Sequence, residues 1–303
     1  MSKPLSPLTK RSDVSFVEST STKQLIDDWQ QKFSIDISSH FASCSQIDLY
    51  QCKKTELQFF VPENIEGSSR LYEQLQSFDW YYMPDKWEHR VALNDLNNCS
   101  NVLEIGSAFG DFLQKAIDHG LNVQGIELNQ EAIKAAQNRA LPIDSLDLNA
   151  LAKTHKEHFD GVCSFQVLEH VAQPGEFIQA SLDILKPGGK LIYCVPNSKS
   201  FLHHQYNILD MPPHHVTRWS ENTFRALENL FPIKLEVLRF EPLAIYHISS
   251  FLGAYSNYFK SISPLYKIPF NRLSLSMYHK VLTLGMRRFF RGQSLYARFR
   301  KLT

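Results

Sequence analysis

The stretch Val102-Leu-Glu-Ile-Gly-Ser-Ala-Phe-Gly-Asp-Phe-Leu113 decides the fold. Val102 to Ile105 reads as a short apolar strand, Gly106-Ser-Ala-Phe-Gly110 as a turn, and Phe112 to His119 as a helix. A strand that runs through glycines into a helix brings bare backbone close to a ligand, because glycine has no Cβ, and the helix start offers unpaired N–H groups. The turn is not the G-x-G-x-x-G of a dinucleotide site. It is Gly106-x-Ala108-x-Gly110, with Glu104 two positions earlier. That pattern suits a ligand with ammonium and carboxylate ends and no pyrophosphate. An ordinary tight strand-to-helix turn looks the same, so the flanking sequence has to discriminate.

Outward from the turn, strands and helices alternate. Asn122–Glu127 reads as a strand, Gln130–Arg139 as a helix, Phe159–Phe165 as a strand, Phe177–Leu185 as a helix and Lys190–Val195 as a strand. This spacing predicts βαβ units and a Rossmann-like α/β fold, a mainly parallel sheet with helices on both faces. Ligands bind such sheets at the carboxyl ends of the strands. Glu127 ends the second strand, 23 positions after Glu104. An acid there accepts hydrogen bonds from ribose hydroxyls in dinucleotide folds; its bland alternative is a helix cap. A further strand is expected at Ile233–Arg239 and a last one, antiparallel, at Ser294–Arg300. Between them lies a helical, basic insert at about 242–291, in which Ile245, Ile248, Leu252, Tyr255 and Phe259 make one helical stripe; it reads as a lid packed on the core with a solvated basic face, the alternatives being a membrane-surface element or a holder of an anionic acceptor. A second insert helix is expected over Ser274–Phe290. Residues 1–20 are expected to be disordered, 21–90 to form an accessory cap with a helical stretch at 68–98, and 91–303 to form the main domain.

The motifs at 100–240 resemble the class I S-adenosylmethionine-dependent methyltransferases, specifically their small-molecule and sugar-modifying branch. The resemblance rests on Val102–Leu113, Gly125-Ile-Glu-Leu128, Phe159-Asp-Gly-Val162, Val167-Leu-Glu-His-Val171, Leu185-Lys-Pro-Gly-Gly189 and Val195-Pro-Asn197, in matching order and spacing. It implies S-adenosylmethionine as cofactor. Glu104 would hold its amino-acid end, with Gly106, Ser107, Ala108 and Gly110 forming the turn around it. Glu127 would take the ribose hydroxyls and Leu128 would pack on adenine. Asp147, with Leu148 beside it, would read the adenine amino group, and Gln166 would line the methionine side. Ala108 departs from the pattern, since many relatives have glycine there; alanine is the smallest replacement.

Methyl transfer from a sulfonium asks mainly for alignment. An oxygen or nitrogen nucleophile also needs a base, and histidine is the usual one near neutral pH. The candidates are His215 and His214, in Met211-Pro-Pro-His-His-Val-Thr-Arg-Trp219, and His170; packing or capping is the alternative for each. Some relatives bind a divalent ion with Glu-x-x-Glu-His. Here the set is Gln166-x-x-Glu169-His170, which has lost one carboxylate, so no catalytic metal is expected. Other relatives begin with a zinc module ending Tyr-x-Cys-x-x-Cys-Gly-Leu-x-Phe. Tyr50-Gln-Cys52-Lys-Lys-Thr55-Glu-Leu-Gln-Phe59 resembles it without the second cysteine, as a degenerate module would. In the aromatic run Trp80–Trp87, Tyr81 and Tyr82 are candidates to face a sulfonium through cation–π attraction.

Composition bounds the rest. Five cysteines without a C-x-x-C pair argue against a disulfide framework and for a reducing cytosol. Net charge is +1, yet no Asp or Glu follows Glu241, where ten Lys and Arg remain, so the chain up to Glu241 sums to −9. A net-negative body without a recognition motif argues against a nucleic-acid partner, and none is expected. The expected protein O-methylates a small-molecule or glycan-type acceptor. Its rivals are a methyltransferase working on a lipid-linked or quinone-like acceptor at a membrane surface, through the basic insert, and a cofactor-binding scaffold without activity.

Overall fold

The structure is a computed structural model that describes residues 3–303. Its N-terminal part contains β1 (Val14–Ser21), α1 (Thr22–Phe33), β2 (Gln46–Cys52), β3 (Gln58–Val61), α2 (Ser69–Leu75) and α3 (Trp87–Leu96). The main body runs β4 (Val102–Ile105), α4 (Asp111–Asp118), β5 (Val123–Ile126), α5 (Gln130–Asn138), β6 (Ile143–Asp144), α6 (Leu148–Thr154), β7 (Phe159–Phe165), α7 (Pro174–Ile184) and β8 (Leu185–Pro196). After it come β9 (Thr217–Arg218), α8 (Glu221–Ala226), β10 (Ile233–Pro242), α9 (Ile248–Ile262), α10 (Arg272–Thr283) and β11 (Arg291–Lys301). No helix among the described residues is long and apolar enough to cross a membrane.

The main sheet has the order β10-β11-β8-β7-β4-β5-β6. Strands β6, β5, β4, β7 and β8 are parallel; β11 lies antiparallel between β8 and β10. The central strand β4 is buried at all four positions, as a parallel strand with both faces covered must be. Because the parallel strands share a direction, the segments after β4, β5, β6 and β7 emerge on one edge, and the site is built there.

A second, antiparallel sheet has the order β1-β2-β3-β9. Its fourth strand, β9, comes from the loop after β8 and pairs Phe59 with Thr217 and Gln58 with Arg218. The amide of Phe60 adds a bond to the carbonyl of Val216. The N-terminal sheet thereby grips the segment that carries His214 and His215. A buried cluster of Leu25, Trp29, Ile37, Ile47, Leu49 and Leu71 packs with Ile208, Met211 and Val216 of that same segment.

Two local expectations differ from the structure. Residues 14–21, polar in composition, pair with β2 along their whole length. Composition reports the apolar area a segment can bury; it does not report a neighbouring strand that satisfies its backbone. Residues 1 and 2 lie outside the described residues. The expected helix over 68–98 is divided into α2 and α3, and the aromatic run between them is irregular up to Lys86. Pro84 lacks an N–H and biases the residue before it away from the helical region.

Trp29 is fully buried and its ring lies 6.4 Å from that of His214. Trp29→Ala is expected to cost about 3–5 kcal/mol, read as a lower urea midpoint with unchanged slope.

Candidate active site

The turn after β4 depends on left-handed residues and a carboxylate. Gly106 (φ +77°) and Ala108 (φ +46°) both have positive φ. A Cβ on Gly106 would lie 2.4 Å from a methyl of Val167, so glycine is needed there for packing as well as conformation. Ala108 adopts a left-handed geometry that costs an L-residue roughly 1 kcal/mol. It is held by its amide, which donates to Glu127 Oε2 at 2.9 Å. Glu127 Oε1 accepts from the amides of Leu128 (2.8 Å) and Asn129 (2.9 Å). Three of the roughly four lone-pair positions of this carboxylate are thus taken by backbone. Both readings of Glu127, cap and ligand holder, have a structural basis: a vicinal diol could take the open position and would displace one backbone donor to gain a second.

A cavity of about 1030 Å³ opens along this edge. Gly106, Ala108, Glu127, Leu128, Asp147, Leu148 and Gln166 all line it, as do His170, His214 and His215. Leu128 is 61% exposed, an apolar side chain left free at the cavity. Asp147 caps α6, its Oδ1 accepting from Asn149 and Ala150 amides at 2.9 and 3.1 Å, and its second oxygen stays free of them. Glu104, Ser107 and Gly110 do not reach the cavity wall. Ser107 is buried and donates to the carbonyls of Glu104 and Ile126. Gly110 opens α4, where a Cβ would meet Leu141 at 2.5 Å. Glu104 is buried beneath the turn with Oε2 unpartnered, and burial pushes its carboxyl well above the usual range against the pull of Lys86. These three build the turn from behind.

At the Gln166 end the cavity meets Lys86, Glu88 and Glu241, which the sequence reading missed because nothing in their spacing marks them. Gln166 has φ +57° and donates to Glu88 Oε1 at 3.2 Å. A cation and buried acids at one end, and a free carboxylate oxygen with leucines at the other, complement a zwitterion joined to a nucleoside. The residues present therefore fit S-adenosylmethionine.

The three histidines meet beyond Gln166. The rings of His214 and His215 stack at 4.5 Å, and His170 stands edge-on to both, at 4.6 and 4.9 Å. Their hydrogen bonds separate their roles. His214 donates from Nδ1 to the carbonyl of Leu209 (2.7 Å) and accepts at Nε2 from the Tyr81 hydroxyl (3.0 Å), so both nitrogens are occupied. His215 donates from Nδ1 to Asp210 Oδ1 at 3.1 Å, while Arg218 Nε holds the other Asp210 oxygen at 2.9 Å. His170 donates from Nδ1 to the carbonyl of His214 at 2.5 Å. Nε2 of His215 and of His170 remain uncommitted within the protein. Burial lowers all three imidazoles, His170 to about 4 and the others well below 6.5, with neighbouring histidines adding to the effect at His214 and His215. They are neutral at pH 7.

Beside them, Glu169 is buried with both carboxylate oxygens unpartnered, Oε1 lying 3.8 Å from His170 Nε2. Burial raises its carboxyl to about 8. A buried carboxylate facing neutral imidazoles can lose its charge in two ways, by taking a proton or by holding a cation. The ligand nitrogens of His170, His214 and His215 all lie within 4.8 Å of one another. Glu169 is not part of that group, and both nitrogens of His214 are already hydrogen-bonded, so the cluster is a set of close imidazoles with Glu169 beside His170. Linear spacing around Gln166 could count only Glu169 and His170; the fold adds the other two imidazoles. Tyr72, edge-on to His170 at 5.5 Å, and Asp210 were also missed, for lack of any local pattern around them.

Comparison with known proteins bears on the family of the chain. The chain is similar to a protein named ubiquinone biosynthesis O-methyltransferase from Idiomarina loihiensis, 26% identical over 48% of this chain and 64% of that protein. It is similar to the protein of the same name from Psychrobacter cryohalolentis, 33% identical over 33% of this chain and 43% of that one. The match thus spans less than two thirds of either relative. Among solved structures, a chain of the Haloferax volcanii complex of the Trm112 methyltransferase activator with a methyltransferase has a TM-score of 0.51 at 14% identity, covering 80% of this chain and 100% of that one, a likeness of fold. The sequence profile of a methyltransferase domain family matches residues 75–231, more than half of the chain, and to that family of methyltransferase domains the protein belongs.

Proposed function

We propose that the protein transfers a methyl group from S-adenosylmethionine to a hydroxyl oxygen of a small-molecule acceptor. The observation that carries this reading is one cavity lined by the Ala108–Glu127 turn and by His215, whose Nε2 makes no hydrogen bond within the protein. When bound, the cofactor supplies an electrophilic methyl on a sulfonium. Glu127 takes the ribose hydroxyls, Leu128 and Leu148 cover adenine, and Asp147 accepts from its amino group with its free oxygen. Glu88 and Lys86 face the zwitterionic end, beside Gln166. His215 is the base: Asp210 holds its Nδ1–H, which fixes the tautomer and presents the Nε2 lone pair to the acceptor hydroxyl. Its lowered basicity keeps that lone pair available at neutral pH. His214 is the positioning residue, locked between Leu209 and Tyr81.

The relatives are named O-methyltransferases of ubiquinone biosynthesis, which supports oxygen as the methylated atom and a quinone-like acceptor beside the glycan-type one. Five cysteines, unpaired among the described residues, support a reducing, cytosolic setting.

Calorimetric titration with S-adenosylhomocysteine is expected to give saturable binding that Glu127→Ala weakens at least tenfold. A folded protein that binds none would leave a Rossmann-like scaffold without this activity. Once an acceptor is found among hydroxylated quinones, sugars and sugar nucleotides, His215→Asn is expected to lower kcat by about 10²–10⁴ while S-adenosylhomocysteine binding stays unchanged.

Glu169 gives a stability test. Its carboxyl ionises at 4.5 ordinarily and at about 8 in the folded protein, so folding loses stability as pH rises from 4.5 through 8. Glu169→Gln lacks this loss. In chelator-containing buffer its Tm relative to wild type is expected to climb by a few degrees between pH 5 and 8 and then level off, measured by differential scanning calorimetry.

A further inference from the structure

The insert between β10 and β11 packs only one side of itself on the body. Phe251, Leu252 and Ala254 of α9 and Leu282 of α10 are buried in a common cluster, with Leu275 and Tyr278 against it. The other side of α10 carries Leu273, Met277, Val281 and Leu284, at spacings of four, four and three residues, which is one helical face. All four are exposed. Leu265 and Ile268, before α10, and Phe289, after it, extend the same exposure; with Leu273 and Leu284 each is 73% or more accessible. Exposed aliphatic side chains at this density are rare on a self-sufficient surface and mark a contact site.

The charge of the segment says what the contact is. Residues 242–290 contain six cations, Lys260, Lys267, Arg272, Lys280, Arg287 and Arg288, and no acid. None of the six is in an ion pair among the described residues, although Arg287 donates to the carbonyl of Leu243; Arg298, Arg300 and Lys301 of the neighbouring strand β11 are paired. An isologous contact with a second copy would set this cationic face against itself, at a cost in like-charge repulsion. An anionic lipid surface satisfies both properties at once, taking the leucines into the acyl boundary and the cations among its headgroups.

We propose that the α10 face, with the turns on either side of it, docks the protein on anionic bilayers as a peripheral element. The start of the insert belongs to the cavity wall, through Tyr246, His247 and Ser250. One helix, α9, therefore connects the docking face to the cavity. Docking does not depend on the methyl-transfer reading and is tested without turnover.

The test is co-sedimentation of the full chain with vesicles of phosphatidylcholine alone or mixed with phosphatidylglycerol. Wild type is expected to sediment with the mixed vesicles, weakly with the neutral ones, and less as salt rises. The Leu273→Gln/Met277→Gln/Leu284→Gln variant and the Lys280→Gln/Arg288→Gln variant are each expected to bind mixed vesicles about tenfold more weakly or worse. Both change exposed side chains only, and their thermal melts and S-adenosylhomocysteine binding should match wild type. Three results would overturn the proposal: no sedimentation with mixed vesicles, equal binding by wild type and both variants, or lipid-free self-association that the leucine variant abolishes. The last would make the face an interface between copies of the chain.

Discussion

One carboxylate, that of Glu127, holds the cofactor end of the site together. It gathers the amides of Ala108, Leu128 and Asn129, joining the turn after β4 to the start of α5 across two neighbouring strands. Without that acceptor the Ala108 amide would point into the cavity while its residue stayed in a left-handed conformation that an alanine does not favour. The parallel sheet makes the arrangement available, because β4 and β5 end on the same edge in register, Ile105 beside Ile126. A group that caps backbone in this way is already oriented, which is the physical basis of the proposal that one residue serves structure and binding together.

The acceptor end is organised differently. Its chemistry sits on irregular segments, and irregular segments need outside support to hold a geometry. The N-terminal sheet supplies it. Strand β9 is held by β3, Trp29 and its neighbours pack under the loop, and Tyr81 reaches His214 from the aromatic segment between α2 and α3. His214 and His215 are therefore buried and His170 half-buried, and all three are neutral and directionally assigned before any acceptor arrives. Glu169, left without a partner among them, marks the place in the site where charge is least settled, and where a proton or a cation would matter most.

Much of the main body was legible in the sequence. Alternating apolar runs and helical spacings are local signals, so the β4–α4–β5–α5 unit, β7, α7, β8 and the late strands could be read directly. Strand β6 was poorly marked because it is two residues long. The glycine turn, Glu127 and Asp147 lie at fixed offsets from strand ends, which is why spacing found them, and all three segments contribute to the cavity. Spacing could not tell that Glu104, Ser107 and Gly110 support the turn from behind, since an offset along the chain does not say which way a side chain turns.

By itself the sequence determined the α/β architecture, the edge of the sheet where ligands bind and the residue types gathered there, because periodicity and turn chemistry are written within a few residues of one another. Only the tertiary structure decided which histidine keeps a free nitrogen, that Glu169 is buried without a partner, that residues 14–21 are a strand, and which face of α10 stays open. Each of these depends on a hydrogen bond or a packed surface supplied by residues tens to hundreds of positions away, such as Tyr81 for His214 or β2 for β1, and no local pattern records such a neighbour.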